Sequence, residues 1–369
     1  MVVELISVGT EILMGNIVNT NAAFLSKECV KLGLNCYHQQ VVDDNEERLS
    51  EALQLALGRS DIVILSGGLE IYRHEPSEIS MVLDNPNGTA PGSIIEHDGK
   101  RIILLPGTPN ELVPMFLDKV KPYLMKINDR AIASIIIKIV GIDEGLVEET
   151  IKDLIDAQPN PTIAMFSRAG EVHLRISAMG DNKREARKLI TPVKKEIKKR
   201  LGNHIYTEED DVTLEKSVID ILIDKKMTFT CAESCTGGLF SGRMVSVPGA
   251  SDVYKMGFIT YANKAKKKLL GVKSDTLKNH GAVSHQCAEE MAKGAAKAAK
   301  ADVAIAITGI AGPGGGTKTK PVGLVYIGCF CHGKVVVEEH KFIGNRTQIR
   351  ESAVLCAIAL MRRCLIENK

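Results

Sequence analysis

The sequence predicts an α/β protein of more than one domain, on three observations. Its 369 residues exceed the length of one average domain. Hydrophobic residues make up 44% and charged residues 25%, an ordinary balance that excludes a disordered or collagen-like chain. Short apolar runs that end near glycine alternate with segments of helical spacing, and this pattern is typical of a parallel sheet covered by helices.

The first third of the chain shows this alternation most clearly. In chain order, the predicted elements are a strand at 2–8, a helix at 19–33, a strand at 36–42, a helix at 49–57, and strands at 61–65 and 101–105. Glycine follows several of these strands, at Gly9, Gly67 and Gly107. Ligands of such sheets bind beyond the carboxyl ends of the strands, so we expect any site of this region at that edge.

A different pattern follows at about 130–206 and predicts a small α+β module. Strands are predicted at 135–140 and 171–178, and helices at 146–157 and 183–201. The second helix carries four clustered lysines, namely Lys194, Lys195, Lys198 and Lys199. They form either an RNA-binding face or a solvated helix face. The segment has no G-x-x-G loop, so the solvated face is favoured.

Charge and cysteine content exclude several classes of protein. The net charge is only +2, aromatic residues are 4% and tryptophan is absent, so we expect no nucleic-acid partner. None of the nine cysteines forms a C-x-x-C pair, which predicts reduced thiols and no structural metal site. The amino terminus lacks a basic region and no apolar run spans a bilayer, so we expect a cytoplasmic protein without a membrane segment.

The first of three glycine-containing motifs in the last third surrounds Ser234. The segment TCAESCTGG follows an apolar run at 227–230 and precedes a helix predicted from Leu239. A strand-to-helix turn directs backbone N–H groups and a helix amino terminus at one point. Ser234 is therefore either a nucleophile beside an oxyanion-binding site or an ordinary helix cap.

The second motif is YANKAKKKLLG. If a helix begins here, Lys266 and Leu270 share one face, while Lys264, Lys267 and Lys268 point elsewhere. An inward lysine near other cations has its pKa lowered by desolvation and like-charge repulsion, and it then serves as a base. The alternative is a solvated basic stripe.

The third motif is the glycine-rich run TGIAGPGGGT at 308–317, after a buried strand at 303–307. Glycine lets backbone N–H groups approach a phosphate closely, although a flexible connection has the same composition. Downstream, Arg346 and Arg350 are candidates for a bidentate phosphate clamp. Arg350 is equally explained as a surface residue of the last helix.

These motifs carry a resemblance to a known family. The runs AESCTGG, YANKAKKKLLGV, GAVSHQCAEEMA, TGIAGPGGGTKTKPVG and FIGNRTQIR resemble, in order, the carboxy-terminal domain of the CinA (competence/damage-inducible) family over about 212–366. In that family the domain is a nicotinamide mononucleotide (NMN) amidohydrolase of α/β/α architecture. The resemblance implies that the enzyme needs no metal or cofactor, and it suggests a homodimer.

The resemblance also implies the site residues. Ser234 would be the nucleophile and Lys266 the base, with Tyr261 helping to orient this pair. The residues that would bind the substrate are Cys235, Thr236, Gly237, Thr308, Gly312, Gly314, Gly315 and Arg346.

The amino-terminal third resembles the molybdopterin-binding-like domain of the same family, a three-layer α/β fold. The resemblance rests on VGTEILMGNIVNTNAAFLS, VVDDNEERL, VILSGGL, NPNGTAPG and LLPGTPNEL. Some members link this domain to hydrolysis of nucleotide pyrophosphates such as ADP-ribose. Here roughly 45 residues that the family places after Leu69 are missing, more than normal loop variation. The acidic pair that would hold a divalent metal is missing with them. His74 and Glu75 are either a replacement metal pair or part of a surface loop.

The chain is therefore predicted to comprise three parts. These are a shortened molybdopterin-binding-like domain at 1–127, a connecting α+β module at 128–207 and a CinA-type amidase domain at 208–369. The predicted function is hydrolysis of NMN to nicotinic acid mononucleotide and ammonia, in pyridine nucleotide salvage. Two alternatives stay open: a nucleotide pyrophosphatase in the amino-terminal domain, and a non-catalytic nucleotide-binding protein tied to competence or DNA damage.

Overall fold

The computed structural model describes residues 1–69, 79–128, 131–157, 160–168 and 170–367. Within these ranges the chain forms three sheets, of six, four and five strands. The described residues divide between two compact units, Met1–Ser134 with Gln158–Thr162 and Ile176–Val193, and Ile135–Ala157 with Ile163–Arg175 and Lys194–Lys369. The predicted α/β class is confirmed, and His74 and Glu75 lie outside the described residues.

The first sheet has strand order β2-β1-β3-β6-β5-β4. Its strands are β1 Val2–Val8, β2 Asn35–Val42, β3 Ile62–Ser66, β4 Ile79–Leu83, β5 Gly92–His97 and β6 Lys100–Leu105. The accompanying helices are α1 Thr10–Leu13, α2 Thr20–Lys31, α3 Glu46–Arg59, α4 Pro109–Met115 and α5 Lys121–Ile127. A π-helical turn at Phe116–Val120 joins the last two helices.

Both faces of this sheet are covered, which gives the predicted three layers. Leu5 packs with Leu25 of α2 and Phe116 on one face, while Ile6 packs with Leu49 of α3 on the other. The alternation follows from the strand period of two. Strands β1, β2, β3 and β6 are parallel, but β4 and β5 pair antiparallel at the edge. The expectation of a parallel sheet is therefore wrong at this edge, where no helix crosses between the strands.

The four-stranded sheet belongs to the predicted α+β module and has the order β10-β7-β9-β8. Its strands are β7 Ala131–Ile139, β8 Thr162–Arg168, β9 Glu171–Gly180 and β10 Ile205–Thr207, and its helices are α6 Glu144–Asp156 and α7 Lys183–Leu201. On α7, Lys194 and Lys198 both donate to the carboxylate of Glu208, at 2.9 and 2.5 Å. This pairing fits a solvated, salt-bridged face better than an RNA-binding one.

The carboxy-terminal sheet has the order β12-β11-β13-β14-β15, with the first three strands parallel. Its strands are β11 Phe229–Glu233, β12 Tyr254–Ile259, β13 Val303–Gly309, β14 Leu324–Cys331 and β15 Lys334–Lys341. The surrounding helices are α8 Leu214–Asp224, α9 Leu239–Val245, α10 Ala250–Val253, α11 Asn263–Leu270, α12 Ser274–Asn279, α13 His285–Ala299 and α14 Arg346–Glu367.

Helix α13 packs closely on this sheet because both surfaces carry small residues. Ala292, Ala295 and Ala296 of α13 form one core with strand residues such as Ala304 and Ala306. The opposite face is covered by larger side chains of α8, α9 and α14. The helices therefore leave free the edge where the parallel strands β11, β12 and β13 end, and this edge is where ligands of such sheets bind.

Candidate functional site

Ser234 is the first residue after β11, at the carboxyl edge of the sheet. Its backbone N–H donates to the carbonyl oxygen of Ile307 in β13 at 2.9 Å, so the turn is held against the neighbouring strand. The side chain is 8% exposed. This arrangement fixes the hydroxyl beneath an opening in the surface.

Lys266 brings an amine to that hydroxyl. It lies on α11 and is 1% exposed, whereas Lys264, Lys267 and Lys268 of the same helix face solvent. Its Nζ lies 2.9 Å from Ser234 Oγ, 2.7 Å from the carbonyl oxygen of Thr260 and 3.2 Å from that of Tyr261. The periodicity of the motif therefore selected the buried lysine of the run.

The three partners of Nζ match the capacity of a neutral amine. Two carbonyl oxygens can only accept hydrogen bonds, so they take the two N–H donors of an uncharged –NH₂ group. As placed, Nζ donates to Ser234 Oγ at 2.9 Å, as an ammonium would; a neutral amine at the same position would turn its lone pair to Oγ and accept the hydroxyl proton. Burial also lowers the pKa of Lys266 below its ordinary value of 10.5. Desolvation is the cause of this lowering, rather than the like-charge repulsion expected from the lysine run.

Two thiols lie near the pair but are poorly suited to replace the hydroxyl. Burial raises the pKa of Cys235 and of Cys287 to about 11 each. A thiol is nucleophilic as its thiolate, which such a pKa disfavours near neutral pH. Both cysteines fit the predicted role of buried, reduced thiols.

The Ser234–Lys266 pair opens into a cavity of about 270 Å³. The predicted site residues that line it are Ser234, Cys235, Tyr261, Lys266, Thr308, Gly312, Gly314, Gly315 and Arg346. Ala282, Val283, Gly309, Ile310 and Ala311 complete the wall. Thr236 and Gly237, also predicted to bind substrate, do not line this cavity. They lie in the turn behind Cys235, and the Thr236 side chain is fully buried.

The glycine-rich run forms one wall of the cavity. Gly312 and Gly315 adopt left-handed backbone conformations, with φ of 79° and 86°. A Cβ on Gly312 would lie 2.6 Å from Val322 Cγ1, so both conformation and space require glycine there. Arg346 donates to the carbonyl oxygen of Gly312 at 2.6 Å and approaches the hydroxyl of Tyr261 at 3.5 Å. The Arg346 guanidinium and the glycine-rich loop, whose backbone a ligand can approach closely, therefore lie together in the cavity wall.

Thr308 has a different contact from the one expected of a substrate ligand. Its hydroxyl donates to the carbonyl oxygen of Ala282 at 2.8 Å and holds the 282–283 wall. Lys320 supports the same wall, because its Nζ lies 2.6 Å from the carbonyl oxygens of His280 and Val283.

Two charged residues lie behind the Ser234 turn: Glu233, which sequence reasoning missed, and Arg350, whose predicted place in a phosphate clamp is not supported because it does not line the cavity. The buried carboxylate of Glu233 accepts from the backbone N–H groups of Gly238, Phe240 and Ser241 at 2.9–3.1 Å. Arg350, for which a surface position stayed open, donates to carbonyl oxygens of the same turn. A carboxylate at the end of an otherwise apolar buried strand was the available signal for Glu233.

A larger cavity of about 460 Å³ lies elsewhere in the second unit, lined by the 140–143 loop, residues 203–204, β15 and α14. Within its lining Glu338 already pairs with His340 at 3.0 Å and with Arg363 at 2.6 Å. Among the described residues no group of three or more His, Cys, Asp or Glu side chains could hold a metal ion. In the same part of the chain, no helix is long and apolar enough to cross a membrane.

Fold and site together describe an α/β protein with a buried Ser–Lys pair at the carboxyl edge of its last sheet. Family models match three consecutive segments: residues 4–75 the "Probable molybdopterin binding domain", 134–207 the "Damage-inducible protein CinA KH domain" and 211–365 the "CinA C-terminal domain". The chain belongs to the CinA family of competence/damage-inducible proteins.

Relatives match the chain over its full length. A competence-damage inducible protein of Clostridium beijerinckii, so named provisionally, is 44% identical over 100% of both chains. One of Alkaliphilus oremlandii, with the same provisional name, is 43% identical over 98% of both. The solved structure of competence/damage inducible protein CihA from Agrobacterium tumefaciens is 42% identical, covering 40% of this chain and 90% of its own, with a TM-score of 0.39.

The alignment with the Clostridium beijerinckii protein also bears on the predicted deletion. It runs over 411 positions, 42 more than the 369 residues of this chain. At least that many positions of the relative therefore have no counterpart here. This number agrees with the roughly 45 residues predicted to be missing relative to the family.

Proposed function

We propose that the carboxy-terminal domain hydrolyses the carboxamide of nicotinamide mononucleotide and releases ammonia and nicotinic acid mononucleotide. The observation that carries the proposal is the 2.9 Å contact between Ser234 Oγ and the buried Lys266 Nζ. The resemblance of its motifs to the CinA family is what supports NMN as the proposed substrate. A cytoplasmic, homodimeric enzyme that needs no metal is part of the same proposal.

Acylation begins with transfer of the Ser234 hydroxyl proton to neutral Lys266, as Oγ attacks the carboxamide carbon. Backbone N–H groups of the turn after Ser234 stabilise the oxyanion of the tetrahedral intermediate. The carbon–nitrogen bond then breaks, and protonated Lys266 returns its proton to the departing ammonia. The product of this step is an ester between Ser234 and the nicotinoyl group of the nucleotide.

Deacylation uses the same pair in reverse. Lys266 takes a proton from water, and the resulting hydroxide attacks the ester carbonyl. The ester bond breaks, Ser234 Oγ recovers its proton from Lys266, and the carboxylic acid product loses its remaining proton to solvent and leaves as the carboxylate. Each cycle restores a neutral amine and a free hydroxyl, so one buried lysine serves both halves.

The far end of the cavity suits the 5′-phosphate. Arg346 supplies a fixed positive charge, and Gly312, Gly314 and Gly315 let backbone approach the phosphate oxygens. We therefore expect free nicotinamide, which lacks ribose and phosphate, to be a poor substrate.

The experiment that tests the proposal is ammonia release from NMN by the purified chain and by Ser234→Ala. We expect turnover by the wild type and a loss of at least about a thousandfold in the variant. Tight binding of NMN with no turnover of any pyridine nucleotide would favour the non-catalytic alternative instead.

A further inference from the structure

The first turn of α14 carries two arginines, one helical turn apart, with different targets. Arg346 lines the cavity. Arg350 does not line it, and its guanidinium faces the back of the turn that follows Ser234. There Nε lies 3.1 Å from the carbonyl oxygen of Cys235, and Nη2 lies 2.7 Å from that of Thr236. The two donors of one planar group thus hold two consecutive peptide carbonyls.

Holding these carbonyls also sets the direction of two N–H groups. In a trans peptide the N–H points opposite to the C=O of the same plane. The N–H of Thr236 and the N–H of Gly237 therefore point away from Arg350. Neither donates to a protein acceptor within the described part of the chain. Backbone N–H groups that are free of protein acceptors are what an oxyanion-binding turn requires.

The carboxylate of Glu233 fixes the far end of the same turn. It accepts from the N–H of Gly238 at 3.0 Å and of Phe240 at 3.1 Å. Between the two anchors, Gly237 and Gly238 have φ of 62° and 101°, in the left-handed region that favours glycine. Anchored at only one end, such a glycine pair would leave the orientation of its peptides free. Arg350 is the anchor nearest the nucleophile.

We propose that Arg350 is a positioning residue of the hydrolase: by holding the Cys235 and Thr236 carbonyls it fixes the turn after Ser234, whose backbone N–H groups serve the oxyanion, although Thr236 and Gly237 themselves do not line the cavity and Arg350 does not touch the substrate. This inference rests on the proposed function. It assigns different tasks to the two arginines of α14: Arg346 binds the ground-state phosphate, and Arg350 supports the transition state. Loss of Arg350 should therefore lower kcat, whereas loss of Arg346 should raise KM.

The test compares Arg350→Met with Arg346→Met in steady-state hydrolysis of NMN. For Arg350→Met we expect kcat to fall by about tenfold to a hundredfold with KM within about twofold, because the donors stay present but lose their fixed orientation. For Arg346→Met we expect mainly a higher KM. Arg350→Lys, which offers one ammonium for two carbonyls, should recover only part of kcat. Unchanged kcat in Arg350→Met, or a rise in KM like that of Arg346→Met, would overturn the inference.

A substrate-independent readout separates this inference from the proposed substrate. A fluorophosphonate probe reacts when Ser234 Oγ attacks phosphorus and displaces fluoride, while the Oγ proton passes to Lys266. The phosphoryl oxygen then occupies the oxyanion position. We expect Arg350→Met, or Arg350→Lys if the former does not fold, to be labelled at least tenfold more slowly than the wild type.

The outcomes of the two assays are distinguishable. A wild type that takes up the probe but releases no ammonia from NMN contradicts the proposed substrate, and slow labelling of the variant still supports Arg350. Equal labelling rates overturn the role of Arg350 whatever the substrate. A wild type that neither releases ammonia nor takes up the probe overturns both.

Discussion

At the residue scale, Lys266 connects the energetics of the fold to its chemistry. Its side chain is 1% exposed, and burial disfavours the charged form. The hydrogen-bond partners of Nζ are two carbonyl oxygens and one hydroxyl, which an ammonium and an uncharged amine can both satisfy, so burial is what favours the uncharged form. The same burial that costs folding free energy would therefore prepare Lys266 for the proposed role of base.

The pH profile of turnover follows from the lowered pKa of Lys266. In the proposed mechanism the neutral amine is the base, so kcat on NMN should rise as pH increases through this lowered pKa and level off above it, below 10.5. Initial rates between pH 5 and 10 measure this profile. A rate that falls across the range, or that rises only near the ordinary lysine value, would contradict the assignment.

The free energy of unfolding should also depend on pH because of Lys266. Between the lowered pKa of folded Lys266 and its ordinary value of 10.5, the unfolded chain binds one more proton than the folded chain at this residue. The contribution of Lys266 to the free energy of unfolding should therefore rise with pH in that window, and its burial cost should be greatest below the window.

Lys266→Met isolates this contribution. The variant should lose turnover by about a hundredfold to ten-thousandfold and should also lack the rise in stability. The measurement is urea unfolding of both proteins at pH 7 and pH 9.5. If the free energy of unfolding changes equally in the two proteins between pH 7 and pH 9.5, Lys266 is charged in the folded protein.

At the element scale, the site depends on where α11 sits against α13. Gly294 of α13 lies beneath the end of α11, where a Cβ would be 1.9 Å from the carbonyl oxygen of Leu270. Leu270 is one helical turn beyond Lys266. The close approach of the two helices therefore fixes the position of the amine relative to Ser234.

Gly294→Ala should separate these helices. We expect a loss of about 1–3 kcal/mol in the free energy of unfolding, because the new methyl group meets backbone that cannot rotate away. Turnover should fall as well, since α11 carries the base. Urea unfolding and kcat measure the two effects.

Gly242→Ala is the matched control within a helix of the same domain. Gly242 lies in α9, and a Cβ there meets nothing within 4 Å. This change should stabilise the protein by about 0.5–1 kcal/mol through helix propensity. If Gly294→Ala and Gly242→Ala change the free energy of unfolding equally, close packing at Gly294 is not the cause.

The sequence predicted the helices and strands better than it predicted the contacts between them. Periodicity placed Lys266 and Leu270 on one face, and the buried strand at 303–307 was confirmed within β13. Spacing alone could not bring Lys266 to Ser234, 32 residues earlier, because their contact depends on how α11 packs against α13 and β11. The family resemblance, rather than spacing, paired them. The antiparallel β4 and β5 were missed because no helix separates them.

At the scale of the whole molecule, the chain combines two units with different evidence of function. The carboxy-terminal part has the Ser–Lys cavity, whereas the family resemblance assigns pyrophosphate chemistry to an amino-terminal domain that is predicted to be shortened after Leu69. The predicted boundaries at 127 and 207 stay predictions. Family models match 134–207 and 211–365, and residues of the connecting module fall in both units.

The two activities should respond differently to one substitution. If the amino-terminal domain cleaves ADP-ribose, a divalent metal should be needed and Ser234→Ala should leave the rate unchanged. Since the acidic pair expected to hold that metal is predicted to be missing, we expect no cleavage above the rate without protein. Release of AMP from ADP-ribose, with and without Mg²⁺, measures this. Metal-dependent cleavage of ADP-ribose would support the alternative that the amino-terminal domain is a nucleotide pyrophosphatase.

The central claim is that a neutral buried amine activates one hydroxyl for attack on the carboxamide of NMN. The most direct measurement is mass spectrometry of the wild type rapidly quenched in acid during turnover of NMN. We predict a covalent nicotinoyl-nucleotide ester on the peptide that contains Ser234, and its absence in Ser234→Ala and Lys266→Met. Ammonia release that persists in Ser234→Ala at the wild-type rate, with no ester on that peptide, would contradict the account.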